Sequence, residues 1–196
     1  MDNYKIYKAE KEDALFIAAT VMGALGEELC IELAGGKQYL NKVTELFTRL
    51  AGEEESQYSY RNTFIAKSQS GEPIGAIIIY DGARLVSLRQ AFIRAANDIL
   101  GWNITEDDFA LRGDETGPYE VYIDSIYVCP NYRGKGVATS LIGHAINHHR
   151  DRNKTYGLLV EPENLHAKKL YEKLGFQEID TSYFFSTPML HLQYKI

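Results

Sequence analysis

Cysteine is scarce in this chain, with Cys30 and Cys129 its two examples in 196 residues. Two cysteines are too few for a disulfide framework, so a reducing compartment, the cytoplasm, is the expected setting. Positive charge is not in surplus either: 21 Lys and Arg face 27 Asp and Glu, for a net charge of −6. That balance argues against a nucleic-acid partner and is compatible with a cationic one such as an amine. No apolar run reaches membrane-spanning length, and the opening Met1-Asp-Asn-Tyr-Lys-Ile has no signal-peptide core, so no membrane partner is expected. Repeats, low-complexity tracts and linker-like stretches are missing too. What is present is 45 % hydrophobic content over a length suited to one domain, residues 1–196, with a substantial core.

The densest signal lies between Tyr122 and Phe176. An apolar strand ending in Ile126, Tyr127 and Val128 runs into the turn Arg133-Gly134-Lys135-Gly136, and a helix opens with Val137, Ala138 and Thr139. Unpaired N–H groups at a helix start favour a negative charge there, as does the helix dipole. Gly134 and Gly136 carry no side chain, so the backbone can approach a pyrophosphate closely. Arg133 and Lys135 add positive charge beside it. Behind the turn, Val137, Leu141, Ile142, Ala145 and Ile146 are spaced as one amphipathic face. The plain alternative is an ordinary strand-to-helix turn with solvated cations.

Three kinds of phosphate loop compete for the segment. A nucleotide-triphosphate loop needs four residues between its first glycine and a Gly-Lys-Ser/Thr ending, a spacing that Gly134-Lys135-Gly136 lacks. A dinucleotide fingerprint fits the strand–turn–helix context, with Glu161 as its acidic ribose ligand. Against it, Thr139 stands in place of the third glycine, and the 35 residues after Glu161 leave no room for the rest of a doubly wound sheet.

The third kind, Arg/Gln-x-x-Gly-x-Gly/Ala, closely resembles the acetyl-coenzyme A loop of the GNAT acetyltransferase superfamily, here as Arg133, Gly136 and Ala138. A second signature of that family is matched by Asn164-Leu-His-Ala167-Lys-Lys-Leu-Tyr171-Glu-Lys-Leu-Gly-Phe176. The resemblance covers roughly the last 75 residues well and the first 110 or so in outline. It implies transfer of an acetyl group from acetyl-coenzyme A to an amine of a small molecule or peptide, by direct attack in a ternary complex without metal. Binding by the turn, by Ile126 to Val128, and by Asn164, Ala167 and Tyr171 is implied with it. Tyr171 is then the donor to the departing thiolate, and the Val128 N–H the donor to the developing oxyanion. Pro130, with no N–H, is consistent with strand pairing ending near it.

The base has several candidates. Asp124 interrupts an apolar strand, and a buried carboxylate is costly without a partner or a task. Glu120 falls on the same face by the two-residue period, Glu161 lies on the neighbouring strand, and a water chain would dispense with a single base. Structural capping or a solvent-exposed edge explains Asp124 as well. His144 and His148 stand four apart but read as surface residues, with Ala145 where a metalloprotease has glutamate. Cys129 has no activating partner and reads as a small buried residue rather than an acyl carrier.

Along the chain, a strand from Tyr4 to Ala9 precedes a helix from near Asp13 to Gly35-Gly36. A second helix carries Tyr39, Leu40, Val43, Phe47 and Leu50. After an acidic loop (Glu53 to Tyr60), Thr63–Ser68 and Ile74–Tyr80 read as a hairpin. The segment 81–118 is an insertion relative to the resembled fold: a helix with Leu85, Leu88, Phe92, Ala96 and Ile99, then a loop with Asp107, Asp108, Asp114 and Glu115. It has three readings: a lid over the acceptor, a homodimer surface, or a decoration on the core. The helix from Val137 runs to about Arg150, a strand spans Tyr156–Val160, and a short helix is capped by Asn164 and ended by Gly175. Strands near Phe176–Phe185 and Met189–Tyr194 complete an α/β (α+β) fold. Its central sheet is mixed and mostly antiparallel, flanked by helices. Tyr58, Tyr60, Tyr183 and Phe184 either line the acceptor pocket or pack the core.

Overall fold

A computed structural model describes residues 4–110, 113–149, 154–184 and 187–195, the side chains of Ala110 and Phe184 excepted. Seven strands form one sheet: β1 (Tyr4–Lys8), β2 (Thr63–Ser68), β3 (Pro73–Asp81), β4 (Glu120–Val128), β5 (Thr155–Val160), β6 (Gln177–Phe184) and β7 (Thr187–Tyr194). Their spatial order is β1-β2-β3-β4-β5-β7-β6. Every neighbouring pair is antiparallel apart from β4–β5. The expected mixed, mostly antiparallel sheet is therefore what the chain builds.

Helices cover both faces. On one side lie α1 (Ala14–Leu25), α2 (Glu27–Ala34), α3 (Leu40–Gly52) and α4 (Leu85–Leu100). Val21, Val43, Phe47, Ala91 and Phe92 from them pack on Ile65, Ala76 and Ile78 of the sheet. On the other side lie α6 (Val137–His148) and α7 (Leu165–Lys173). Val137, Leu141, Ile142 and Tyr171 meet Ile77, Ile79, Val121 and Ile123 there. β3 is covered on both faces, which is why it reads as a continuous apolar run rather than an alternation.

Several expected boundaries change. The first long helix is two: Gly26 takes φ +83°, a left-handed value disfavoured for side-chain-bearing residues, and the axis turns by 106°. The acidic loop after α4 contains a short helix, α5 (Glu106–Ala110), started by three carboxylates at its N-terminal turn. Arg150 and Phe185, expected as element ends, lie outside the described residues. Within the insertion, α4 is a core element, since Leu88, Ala91, Ala95 and Ala96 are buried among α3 and the sheet residues. Among the described residues no single helix is long and apolar enough to cross a membrane.

Candidate active site

β4 and β5 stay paired over three positions, Glu120↔Thr155, Val121↔Tyr156 and Tyr122↔Gly157, and then diverge. Between their diverging ends lies a cleft of about 420 Å³. On its far edge β4 remains paired to β3 as far as Gly75↔Val128, and the Cys129 N–H donates to the Ile74 carbonyl at 2.9 Å. In an antiparallel ladder, hydrogen-bonded positions alternate, so the amides of Ile126 and Val128 turn away from β3 and toward the cleft. Strand pairing thus ends on the β5 side well before Pro130, and on the β3 side next to it.

The glycine turn continues from the same strand. Gly134 and Gly136 hold φ of +73° and +81°, and a Cβ on either would meet nothing within 4 Å, so both face open space. Gly136 caps α6, and the first amide in the helical ladder is Ser140, which donates to Gly136 at 3.0 Å. The amides from Gly134 to Thr139 therefore precede that ladder, the donor set an anionic diphosphate requires. Val137 contributes only backbone, its side chain being buried in the core, while Ala138 is half-buried and Thr139 exposed. The Lys135 ammonium lies over the Tyr132 ring. Arg133 turns back along β4: its Nε donates to the Val128 carbonyl at 3.0 Å, and its guanidinium lies 5.6 Å from the Tyr127 ring centroid. Across the cleft, the Asn164 side chain accepts from the Ala167 N–H at 3.1 Å, capping α7, and both residues line the cleft with Tyr171. Tyr171 is 6 % exposed and packs edge-on against Phe176; burial pushes its phenol up to about 12. These surroundings fit acetyl-coenzyme A: open glycines for the diphosphate, free strand amides for the arm, and a protonated phenol beside it.

The carboxylates separate into two groups. The β3–β4 register slips between Ile78 and Ile79, with Ile78 opposite Ser125 and Ile79 opposite Ile123, leaving Asp124 as the extra residue of a bulge. Asp124 lines the cleft, accepting from the Tyr80 hydroxyl at 3.1 Å and the Ser125 hydroxyl at 2.8 Å. Burial pushes its carboxyl up to about 6, against those two hydrogen bonds, which favour the charged form. Behind it, the Gln57 Nε2 donates both to the Tyr80 oxygen at 3.3 Å and to Glu115 at 3.0 Å. Burial and the nearby charge of Asp124 push Glu115 up to about 7, with Arg89 opposing. Arg89, 1 % exposed, donates to Glu106 at 2.8 Å and Asp114 at 2.7 Å, lies 3.7 Å from Glu115 and covers the Phe109 ring.

Glu120, the other strand carboxylate, is elsewhere. It is 4 % exposed, accepts from Thr116 at 2.8 Å, from Gln193, and pairs with His191 at 2.8 Å. Burial opposes its charge, but these hydrogen bonds win and hold its carboxyl below the ordinary carboxylate range. It shares a strand face with Asp124, yet four residues along a strand span about 13 Å, and Glu120 does not line the cleft. Glu161 does line it, exposed at the end of β5.

Of the aromatic candidates for the acceptor pocket, Tyr58 lines the cleft, backed edge-on by Phe47. Tyr60 is turned to Glu54, Tyr183 is 58 % exposed, and the Phe184 side chain lies outside the described residues. His144 and His148 flank the Phe64 ring at about 5 Å, and Cys129, half-buried, points at the Pro73 carbonyl. Glu115 and Gln57 are the site-building residues that spacing did not single out. One signal was available: Arg89 falls on the same helical stripe as Leu85, Leu88 and Phe92, and a cation on an apolar face requires anionic partners.

Comparison with known proteins follows the same lines. The sequence model of the acetyltransferase (GNAT) family matches residues 37–176. An uncharacterized N-acetyltransferase of Methanocaldococcus jannaschii is 40 % identical over 57 residues, 29 % of this chain and 25 % of that protein, so the match spans about a quarter of that relative's length. An N-acetyltransferase from Staphylococcus aureus Mu50 superposes with a TM-score of 0.75 at 20 % identity, over 97 % of this chain and 100 % of its own. Arabidopsis thaliana Naa50, solved with the bisubstrate analogue CoA-Ac-MVNAL, superposes with a TM-score of 0.55 at 16 % identity over 100 % of both chains. At those identities the two structures speak for the fold.

Proposed function

The chain belongs to the acetyltransferase (GNAT) family, and on that premise we propose that it transfers the acetyl group of acetyl-coenzyme A to a primary amine of a small molecule or peptide, by direct attack in a ternary complex. The observation that carries this reading is the divergence of β4 from β5 beside the glycine turn, with Asp124 standing in the bulge where the strands part. When bound, acetyl-coenzyme A supplies a thioester whose carbonyl carbon accepts the amine nitrogen. The residues from Arg133 to Thr139 hold its diphosphate, Ile126, Tyr127 and Val128 its arm, and Asn164 and Ala167 the opposite side.

Three tasks fall to this chain's own groups. The Val128 N–H, turned into the cleft, hydrogen-bonds the acyl oxygen as negative charge grows on it. Asp124 takes the proton from the amine nitrogen; a carboxyl near 6 is charged at neutral pH and close enough to the working pH to act as a base. The Tyr171 phenol, kept protonated by burial, presents its hydrogen to the departing sulfur. Tyr80 and Gln57 position Asp124.

Thiol release is measured with acetyl-coenzyme A across a panel of amines and alcohols, with product mass read in parallel. Amine-dependent release with an amide product is the expected result. An ester product reassigns the acceptor to a hydroxyl. Stabilisation by acetyl-coenzyme A without transfer to any acceptor overturns the enzyme reading in favour of a binding module.

A further inference from the structure

We propose that Gly23 is a positioning residue for coenzyme A: its missing side chain seats the Tyr127 ring on α1 and, through that ring, Arg133 on β4. That role rests on the coenzyme reading above and deepens it at the same site. Gly23 lies in the last turn of α1, within regular helix. Glycine is the weakest helix former after proline, and a regular helical backbone does not require it. What the position requires is space. A Cβ there would stand 2.4 and 2.6 Å from two carbons of the Tyr127 ring and 3.1 Å from a third. Ordinary carbon contacts are about 3.5–4.0 Å, so a side chain at position 23 must drive the ring away by about 1 Å.

The helix cannot retreat instead. Ile17, Ala18 and Val21 of α1 are at most 1 % exposed and packed in the core, and an interior at that density yields little. The ring in turn carries Arg133, whose guanidinium lies 5.6 Å from its centroid. The same Arg133 side chain donates from Nε to the Val128 carbonyl at 3.0 Å, while the Cys129 N–H donates to the Ile74 carbonyl at 2.9 Å. The peptide joining Val128 to Cys129 is thereby held at both ends, its oxygen by Arg133 and its nitrogen by Ile74. Gly23, Tyr127, Val128 and Arg133 all line the cleft. A displaced ring would unseat Arg133, loosening β4 where the arm binds and moving the first cation of the turn away from the diphosphate. Alanine at position 23 should therefore weaken coenzyme A binding even though it suits the helix better.

Calorimetric titration of coenzyme A into the unsubstituted protein, Gly23→Ala, Tyr127→Ala and the double variant tests the link. Gly23→Ala should bind roughly tenfold more weakly, the scale of a lost cation–aromatic contact with a weakened charged hydrogen bond. Turnover should show the matching split, a higher KM for acetyl-coenzyme A at an unchanged KM for the amine. In the Tyr127→Ala background, with no ring to displace, Gly23→Ala should cost nothing further. Equal binding by Gly23→Ala and the unsubstituted protein, or additive losses in the double variant, overturns the inference and leaves acetyl transfer intact. If Gly23→Ala does not fold, the cycle of Arg133→Met with Tyr127→Ala takes its place, and additive losses there break the chain from ring to cation and overturn it equally. Absence of binding by the unsubstituted protein removes the coenzyme reading itself, and this inference with it.

Discussion

The Tyr80 hydroxyl donates to Asp124 across the one register slip between β3 and β4, at 3.1 Å. The slip leaves Asp124 without a partner residue on β3, and the hydroxyl gives its carboxylate a fixed neighbour instead. Gln57 donates to that hydroxyl's oxygen from behind, leaving its hydrogen directed at Asp124. A chain of hydrogen bonds directed at one carboxylate stabilises its charged form.

Removing the Tyr80 hydroxyl should therefore weaken the charged state. In Tyr80→Phe the Asp124 carboxyl should rise above about 6, moving the acid limb of kcat/KM to higher pH by up to about one unit. Asp124→Asn should lower kcat by roughly a hundredfold or more while the melting-temperature response to acetyl-coenzyme A persists. A Tyr80→Phe profile that stays in place, or moves toward acid, would remove Asp124 from the role of base.

Arg89 is the buried hub of the insertion. Arg89→Met keeps much of the side-chain volume but leaves Glu106, Asp114 and Glu115 without their common cation, and should cost about 3 kcal/mol in urea unfolding. Adding Glu115→Gln should recover part of the loss, because one of the stranded carboxylates becomes neutral. Purely additive effects in the double-mutant cycle would show that the two side chains are not coupled.

The His191–Glu120 pair makes stability depend on pH in a defined window. Hydrogen bonding to Glu120 raises the His191 pKa from its ordinary 6.5, so its contribution is full below 6.5 and is lost as pH rises through the folded value. Glu120 is held below its ordinary 4.5, so its contribution is present above 4.5 and is lost as pH falls through the folded value. Both are present between 4.5 and 6.5. Glu120→Gln should therefore lose more stability at pH 5.5 than at about pH 8.5, read from urea midpoints; equal losses would show that the pair is not linked to folding.

At the turn, Gly136→Glu should abolish stabilisation by acetyl-coenzyme A through a like charge at the diphosphate position. Its own folding cost should be about 1–2 kcal/mol, the penalty of a side chain at φ +81°, since the new Cβ enters open space. Gly136→Ala carries the same backbone strain without the charge. If both variants lose the ligand response equally, strain rather than charge is responsible.

The glycine turn, the cap of α7 and the buried face of α6 were readable from the residues because their determinants are local. A glycine at a helix start, an Asn164 side chain bonded three residues ahead, and an apolar stripe on α6 involve neighbours within a turn or two. The two-residue period likewise placed Glu120 and Asp124 on one strand face, but it carried no information on which of them meets the cleft. That distinction rests on the divergence of β5 after Tyr122 and on His191, 71 residues from Glu120. Gly26 was a visible interruption in an apolar helix, yet a lone glycine is tolerated in helices often enough that the break followed only from packing.

By itself the sequence determined the order of the strands along the chain, the glycine turn that opens α6 and the family to which they belong, since each depends on residues adjacent in the chain. Tertiary structure alone decided the state of Asp124, through Tyr80 44 residues away, and the place of Glu115, 58 residues from the Gln57 that binds it. A carboxylate's ionisation is set by what surrounds it in space, and burial brings together groups that no local pattern relates.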